Sequence, residues 1–416
     1  MNYIRATARR LTEVEFIIVA LIVGLATLNS AWLPWALLVT ALFWPVRRIA
    51  TGRWSRRTPV DWPVVVLLLI TPLTLWASSV PEKTAPQVLR LLIGIGLFYA
   101  VANIPLIFTS TKPIEGQRGI HLVVNGTLAV GLSLAILAPF LVQWNASKLG
   151  LFPTSWYSRF QMLPVDPANP NVMAGSLVLL LPLAVGLLTF SWRSLRAWER
   201  LLTLAFLLTG SIILLLTQSR GAWIAFGCAL AVLVILRFRR GWVAVLILAL
   251  VGVLIAAGLG VDRVISALAG GTTPGGMAGR IEVWSRALYM VQDFPFTGIG
   301  IGAFTEVADR LYPFLLYAPG TMEHAHNLFL QVAVDLGLPG FVAWLAVLFG
   351  SIYSAWRVAQ RGKSYQATWQ WGLGAGLLAA QAALIAHGMT DSVTWGMVRT
   401  APLVWLLWGI SAVVTG

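Results

Sequence analysis

The sequence has few charged residues and a single cysteine, and each scarcity excludes a class of protein. Only 11% of the 416 residues are charged, whereas a soluble domain carries about a quarter. Hydrophobic residues make up 58% of the chain, which excludes an ordinary soluble domain. Because Cys228 is the only cysteine, an intrachain disulfide and a zinc site built on several thiolates are excluded as well.

Apolar stretches of about 20 residues recur along the whole chain, and each could cross a hydrocarbon core of about 30 Å as a helix. The candidate spans are 12–29, 31–46, 63–79, 88–110, 120–142, 172–190, 201–218, 221–237, 241–260, 339–356, 367–388 and 399–414. The sequence therefore predicts an all-α polytopic membrane protein with about twelve transmembrane helices, with residues 1–416 forming one transmembrane domain. The first span starts with Glu13 and Glu15 and lacks a cleavage signature, so we expect it to be retained.

The distribution of basic residues predicts the orientation. If the amino terminus is cytoplasmic, 19 of the 29 Lys and Arg residues fall in cytoplasmic segments, as the positive-inside rule requires. Both termini are then cytoplasmic, and the formal charge of +14 needs no nucleic-acid partner. Two outer segments are longer than connectors need, a first loop at 143–171 and a large loop at 261–338. Long loops often carry function.

The large outer loop contains helical patterns of its own. In RIEVWSRALYMVQDF, apolar residues at helical spacing predict a helix that lies on the bilayer surface or against the bundle; these residues are Ile281, Trp284, Leu288 and Val291. HNLFLQVAVDLG is followed by Gly337 and Pro339, which predicts a short helix, a break, and then the tenth span. The glycines of FTGIGIGAF indicate turns, because no βαβ pattern surrounds them.

The few carboxylates argue against ion-coupled transport and against a metal centre. Of the 15 Asp and Glu residues, the spans place none near a bilayer centre, and Asp391, just past the eleventh span, comes nearest. Coupled transporters normally keep such an acid or a histidine. The outer loops contain no carboxylate cluster, and His324-Ala-His326 is too short for the zinc-binding helix pair. The sequence predicts no metal and no cofactor.

In place of carboxylates, the outer segments contain arginine and histidine residues that could take part in chemistry. Arg220, in TQSRGAW, is either a snorkelling arginine at the membrane edge or a ligand for a phosphate or diphosphate. The same two interpretations hold for Arg280. His324 and His326 stand before the broken helix, where a histidine either caps or packs, or accepts a proton from a sugar hydroxyl.

Several of these segments together resemble the O-antigen ligase and O-antigen polymerase superfamily of bacterial envelope glycosyltransferases. The resemblance is strongest from about 205 to 345, and its carriers are TQSRGAW, GRIEVWSRAL, FPFTGIGIGAF, HAHNLFLQVAVDLGLPG and, earlier in the chain, NPNVMAGSLVLLLPL. It implies a C-type glycosyltransferase-like fold in the bacterial inner membrane. The large helical loop would then be periplasmic and would carry the active site.

The resemblance also implies roles for individual residues. His326 matches the catalytic histidine, Arg220 and Arg280 match two arginines that engage a lipid-linked diphosphate, and His324 is a secondary candidate without a firm counterpart. The implied reaction moves a glycan from an undecaprenyl diphosphate donor to a hydroxyl of a glycolipid acceptor, the lipid A core, in lipopolysaccharide biosynthesis. It uses no metal or nucleotide, inverts the anomeric centre and takes place among membrane lipids.

Three other activities stay open at this stage. An O-antigen polymerase of the same superfamily transfers the glycan to another repeat unit, and a related oligosaccharyltransferase transfers it to a protein. A flippase or exporter of lipid-linked oligosaccharides would be no enzyme, but it needs a cationic cavity reachable from both sides. We favour the ligase because the chain is compact and has one dominant outer loop.

Overall fold

A computed structural model describes residues 2–104, 113–144, 153–157, 168–259, 277–396 and 400–413. Its helices are α1 (Asn2–Leu28), α2 (Leu33–Thr51), α3 (Asp61–Ala77), α4 (Pro81–Ala102), α5 (Pro113–Leu141), α6 (Thr154–Tyr157), α7 (Pro170–Ser191), α8 (Ala197–Leu216), α9 (Arg220–Arg237), α10 (Gly241–Leu259), α11 (Met277–Asp293), α12 (Phe304–Leu311), α13 (Leu328–Ser364), α14 (Thr368–Gly388) and α15 (Pro402–Val413). Much of the predicted loop at 143–171 and the first part of that at 261–338 lie outside the described residues.

The helices confirm the predicted class of an all-α polytopic membrane protein. Eight of those in the described ranges are long and apolar enough to cross a membrane, namely α1, α2, α4, α5, α7, α8, α9 and α13. The apolar helices α3, α10 and α15 are shorter. With α14 added, each of the candidate spans overlaps a helix.

Helix α14 lies at the centre of the bundle, where it packs against α7, α9 and α13. Small residues allow the close approach. A Cβ atom added to Gly186 of α7 would lie 2.6 Å from the Cα atom of Gly376 of α14, so the two backbones pack directly. Small residues at such contacts are typical of helices in membranes. This packing fixes the end of α14 from which the candidate site is built.

Helix α13 is broken where the sequence predicted. Gly337 has φ 68° and ψ 177° inside the helix, a conformation that favours glycine. A Cβ atom there would lie 2.8 Å from the carbonyl carbon of Phe296, and the N–H of Leu338 donates to the oxygen of Pro295 at 2.7 Å. The loop after α11 therefore packs directly on the break and satisfies its backbone.

A second, smaller hydrophobic core lies beside this break and joins α11, α12 and the first turns of α13. From α11 it includes Val283, Ala287 and Met290. Helix α11 confirms the helix predicted from residue 280, but Ile281 and Leu288 are 58% and 49% exposed. The expectation that these two residues press against the bundle is wrong, while contact with the bilayer surface stays a prediction.

An ion pair that the sequence did not indicate is buried in the main bundle. The helix α1 begins at Asn2, so Glu15 lies halfway along it rather than at its start. Its Oε1 is 3.1 Å from Nε of Arg47, and both side chains are almost fully buried. The first span thus carries a buried carboxylate.

Candidate active site

The turn that follows α14 is the centre of the candidate site. The carbonyl oxygen of His387 accepts the N–H groups of Thr390 and Asp391, both at 2.9 Å, which bends the chain sharply. Oδ1 of Asp391 accepts the N–H of Ser392 at 2.9 Å. The side chain of Asp391 is thereby fixed and is only 5% exposed.

Both histidines of the HAH segment face this one carboxylate oxygen. Nδ1 of His326 lies 3.4 Å from Oδ1 of Asp391, and Nε2 of His324 lies 3.9 Å from the same atom. The His326 side chain is 30% exposed and that of His324 15%. Of the two imidazoles, His326 is therefore the one more accessible to a substrate.

The backbone of His326 determines which ring nitrogen of His324 carries the proton. His326 adopts the left-handed conformation with φ 47°, uncommon for a residue other than glycine, and its N–H donates to Nδ1 of His324 at 3.2 Å. A neutral His324 must then carry its proton on Nε2, which faces Asp391. Burial lowers the pKa of His324 to about 4, against the attraction of Asp391, so this ring is neutral at pH 7.

The carboxylate of Asp391 is ionised despite its burial. Burial alone would raise its pKa, but the contact with His326 and the nearby rings of His324 and His387 outweigh burial and hold the pKa below its usual range. A charged Asp391 can orient the ring of His326 and stabilise the imidazolium that forms when His326 takes a proton.

Three of these residues also have the composition of a metal site. One ligand atom each from His324, His326 and Asp391 lies within 4.8 Å of the others. A metal would need the lone pair on Nε2 of His324, yet the hydrogen bond to Nδ1 places the ring proton on Nε2. The residues therefore fit a hydrogen-bonded cluster better than a metal centre.

Arg220 borders the same turn from the main bundle. It is the first residue of α9, and Gln218, two residues earlier, has φ 52° and donates to the hydroxyl of Tyr157 at 2.9 Å. The next residue, Gly221, packs on the turn, because a Cβ atom there would lie 2.3 Å from Oγ1 of Thr390. The glycine of TQSRGAW is thus needed to bring Arg220 beside the turn.

Arg280 approaches the turn from the second core. It lies in α11, within electrostatic range of His387 and of Tyr317. Glu282 holds the loop that carries Tyr317, because its carboxylate accepts the N–H groups of Leu315 at 2.5 Å and Leu316 at 3.0 Å.

The structure therefore brings all four candidate residues to one turn, although they come from three separate segments of the chain. Two further members, Asp391 and His387, were not predicted as site residues. A signal existed for Asp391, since it is the acid that the sequence places at the outer end of a span. No comparable signal marked His387, which the sequence assigns to the end of an apolar helix.

Comparison with known proteins finds a family match for one part of the chain. A family model described as O-antigen ligase matches residues 204–345, a range that includes Arg220, Arg280, His324 and His326. The match ends before Asp391 and His387, although both border the site. No curated protein matches the chain.

Proposed function

We propose that the chain, whose residues 204–345 match a family model described as O-antigen ligase, is a ligase-type glycosyltransferase. Its donor would be a glycan on undecaprenyl diphosphate and its acceptor a hydroxyl of a glycolipid, the lipid A core. The family supports an enzyme of the ligase or polymerase type that acts on lipid-linked glycans. The observation that carries the finer proposal is the contact of His326 with a buried, charged Asp391 beside Arg220 and Arg280.

In this proposal His326 is the general base. Its Nδ1 faces Asp391 at 3.4 Å, which leaves Nε2 to accept the proton of the acceptor hydroxyl. Asp391 holds the ring in that tautomer and stabilises its positive charge after proton transfer. In His324, Nδ1 already accepts the N–H of His326 and Nε2 carries the ring proton, so neither nitrogen is available to accept a proton from the substrate, and we assign His324 a supporting role.

The two arginines would hold the leaving group. As the acceptor oxygen bonds to the anomeric carbon, the bond from that carbon to the diphosphate breaks and its electron pair stays on the diphosphate. Arg220 and Arg280 would stabilise this growing negative charge, because a guanidinium can pair with two phosphate oxygens at once. Displacement in a single step inverts the anomeric centre, and the two guanidinium groups supply the charge that a metal would otherwise supply.

The test is glycan transfer in vesicles that contain the purified protein. We expect His326→Ala and Arg220→Ala to lose most transfer, while His121→Ala and Arg310→Ala retain it. His121 pairs with Glu199 at 3.3 Å away from the site, and Arg310 is exposed at the end of α12. Wild-type rates in both site variants would remove the proposal.

The acceptor decides the subtype. Transfer to core glycolipid supports a ligase, whereas transfer only to a second lipid-linked repeat unit would show a polymerase, and labelling of protein would show an oligosaccharyltransferase. Movement of the donor across the bilayer without a new glycosidic bond would show a flippase or exporter. Loss of activity in EDTA with recovery in magnesium would contradict the metal-free mechanism.

The proposal places the site at the periplasmic face of the inner membrane, with both termini cytoplasmic. The loops at 143–171 and 261–338 would then be periplasmic. A cysteine introduced at Arg310, in a Cys228→Ser background, should react with a membrane-impermeant thiol reagent from outside spheroplasts. Labelling that requires permeabilised cells would contradict this orientation.

A further inference from the structure

A second buried carboxylate lies behind the two histidines. Asp335, in the first part of α13, is 1% exposed and has no described contact with His326. We propose that Asp335 is a positioning residue, which ties the segment carrying His326 to the turn carrying Asp391 and keeps the two in register. The inference rests on the proposed function, because it assumes that the contact between these residues matters for transfer.

One carboxylate oxygen of Asp335 is connected by hydrogen bonds to the segment that carries the two histidines. Oδ1 accepts Nε2 of Gln331 at 2.9 Å. Oε1 of Gln331 in turn accepts the N–H of Ala325 at 2.7 Å. Ala325 stands between the two histidines, so this chain of bonds fixes the backbone from which both imidazoles project.

The other carboxylate oxygen of Asp335 is hydrogen-bonded to a residue of the turn that carries Asp391. Oδ2 of Asp335 accepts Nε1 of Trp395 at 2.8 Å. Trp395 follows Asp391 by four residues, is 5% exposed, and packs edge-on against Trp344 of α13 with ring centroids 6.3 Å apart. The N–H of Gly302 also contributes a hydrogen bond to the carboxylate. Three donors from three segments thus meet on one side chain.

The backbone of Asp335 is held just as firmly. In an uninterrupted helix its carbonyl oxygen would accept the N–H of residue 339, but that residue is a proline and has none. The oxygen instead accepts Oγ1 of Thr74 in α3 at 2.7 Å and the N–H of Gly300 at 3.3 Å. The break in α13 therefore fixes Asp335 between the bundle and the second core.

A small cavity adjoins this network and is lined by both Asp335 and His324. It is roughly the size of one water molecule and is lined by Ile301, Gly302, His324, Gln331, Asp335, Ser392 and Trp395. Because neither Arg220 nor Arg280 lines it, this space is not the donor site. Asp335 acts on His326 through the two bonded segments and not by contact with a substrate.

The chemistry of the network requires a carboxylate at this position. A carboxylate accepts on both oxygens, whereas an asparagine presents one oxygen and one NH2 group. In Asp335→Asn, the NH2 group must face either Gln331 or Trp395, both of which donate, so one bond is lost. Displacement of a reacting group by about 1 Å can cost about 100-fold in rate.

Reversing the polarity of one bond gives a direct test. We expect Asp335→Asn to lower kcat for glycan transfer by about 10- to 100-fold while the KM for the lipid donor stays within about twofold. In the double variant Gln331→Glu, Asp335→Asn, the new carboxylate accepts both Ala325 N–H and the asparagine NH2. The asparagine oxygen then accepts the N–H of Trp395. This variant should recover most of the lost kcat.

A second variant and a control complete the design. Trp395→Phe removes the N–H donor but keeps an aromatic ring, so it should lower kcat in the same way even if Asp335→Asn folds poorly. Asp309→Asn is the matched control, because Asp309 accepts the N–H of Gly320 at 2.7 Å away from both segments; its kcat should not change. Thermal unfolding of each variant in detergent identifies general damage.

The outcomes separate the two proposals. An inactive His326→Ala together with a fully active Asp335→Asn would overturn the positioning role alone. Failure of the double variant to recover kcat, or a loss seen only in KM, would overturn it too. A fully active His326→Ala would instead overturn the proposed function.

Discussion

Removal of the charge on Asp391 gives the sharpest test of the proposed base. In Asp391→Asn, the imidazolium of His326 loses an anion that lies 3.4 Å from its Nδ1. At an effective dielectric constant of about 20, two unit charges at this distance attract by about 5 kcal/mol. Because His326 is 30% exposed, solvent screens part of this attraction, and the expected loss is about 1.5–3 kcal/mol, as for a hydrogen bond to a charged group. Each ~1.4 kcal/mol is tenfold in rate, so kcat should fall by about 10- to 100-fold.

The assay is steady-state transfer of a fluorescent lipid-linked glycan in proteoliposomes, with kcat and KM measured separately. The KM for the donor should change little, because Asp391 is not one of the groups proposed to hold the diphosphate. Asp293→Asn is a suitable control, since Asp293 accepts the hydroxyl of Tyr312 in the second core and does not contact the histidines. A kcat for Asp391→Asn within about threefold of wild type would refute the assignment of His326 as a base supported by Asp391.

Three further predictions concern stability, measured as reversible unfolding of the protein in detergent. The pKa of His324 is lowered to about 4 from about 6.5 in the unfolded chain, so the free energy of unfolding should fall by about 3 kcal/mol as the pH drops from 6.5 to 4. In His324→Gln this pH dependence should be much weaker, and an unchanged slope would contradict the prediction. Arg47→Met leaves the buried carboxylate of Glu15 without a partner and should lower the free energy of unfolding by about 3–5 kcal/mol, whereas the double variant Glu15→Leu, Arg47→Met should recover most of that loss. Additive losses would show that the pair does not interact. Gly337→Ala should destabilise the protein by more than about 1 kcal/mol and by more than Gly320→Ala. Both glycines have positive φ, but a Cβ atom at Gly337 would clash with the loop after α11 while one at Gly320 meets open space. Equal losses would exclude the clash.

The sequence predicted those features that depend on local pattern. The apolar stretches predict the spans because length and hydropathy alone decide whether a helix can cross a bilayer. The break at Gly337 was predicted from a glycine followed by a proline, and α11 from its helical spacing. These features need no knowledge of which helices are neighbours.

Features that depend on neighbours could not be predicted. The buried face of α11 is Val283, Ala287 and Met290, because the second core lies on that side. The spacing of Ile281 and Leu288 is equally helical, so the pattern alone cannot choose between the two faces. Glu15 was expected at the start of a span because the apolar stretch begins near residue 12, whereas α1 begins at Asn2 and Arg47 of α2 compensates the charge of Glu15.

The candidate site shows the same division. Arg220, Arg280 and His326 lie in motifs that can be recognised in the sequence, but their common neighbour lies outside these motifs. Asp391 follows His326 by 65 residues, and the two meet because α13 and α14 pack side by side. The sequence places Asp391 at the outer end of a span, but no local pattern pairs it with His326, and only the packed structure shows that contact.

The two arginines belong to different parts of the molecule, which gives the break in α13 a role in the proposed reaction. Arg220 is carried by α9 of the main bundle, and Arg280 by α11 of the second core. A diphosphate held by both would connect the two parts across the turn of Asp391. In that arrangement the spacing of the two arginines would depend on the junction where the second core meets the bundle, at the contact of Gly337 with the loop after α11. Because the backbone of Asp335 is bonded at that same contact, one junction would position both the leaving group and the base in the proposed reaction.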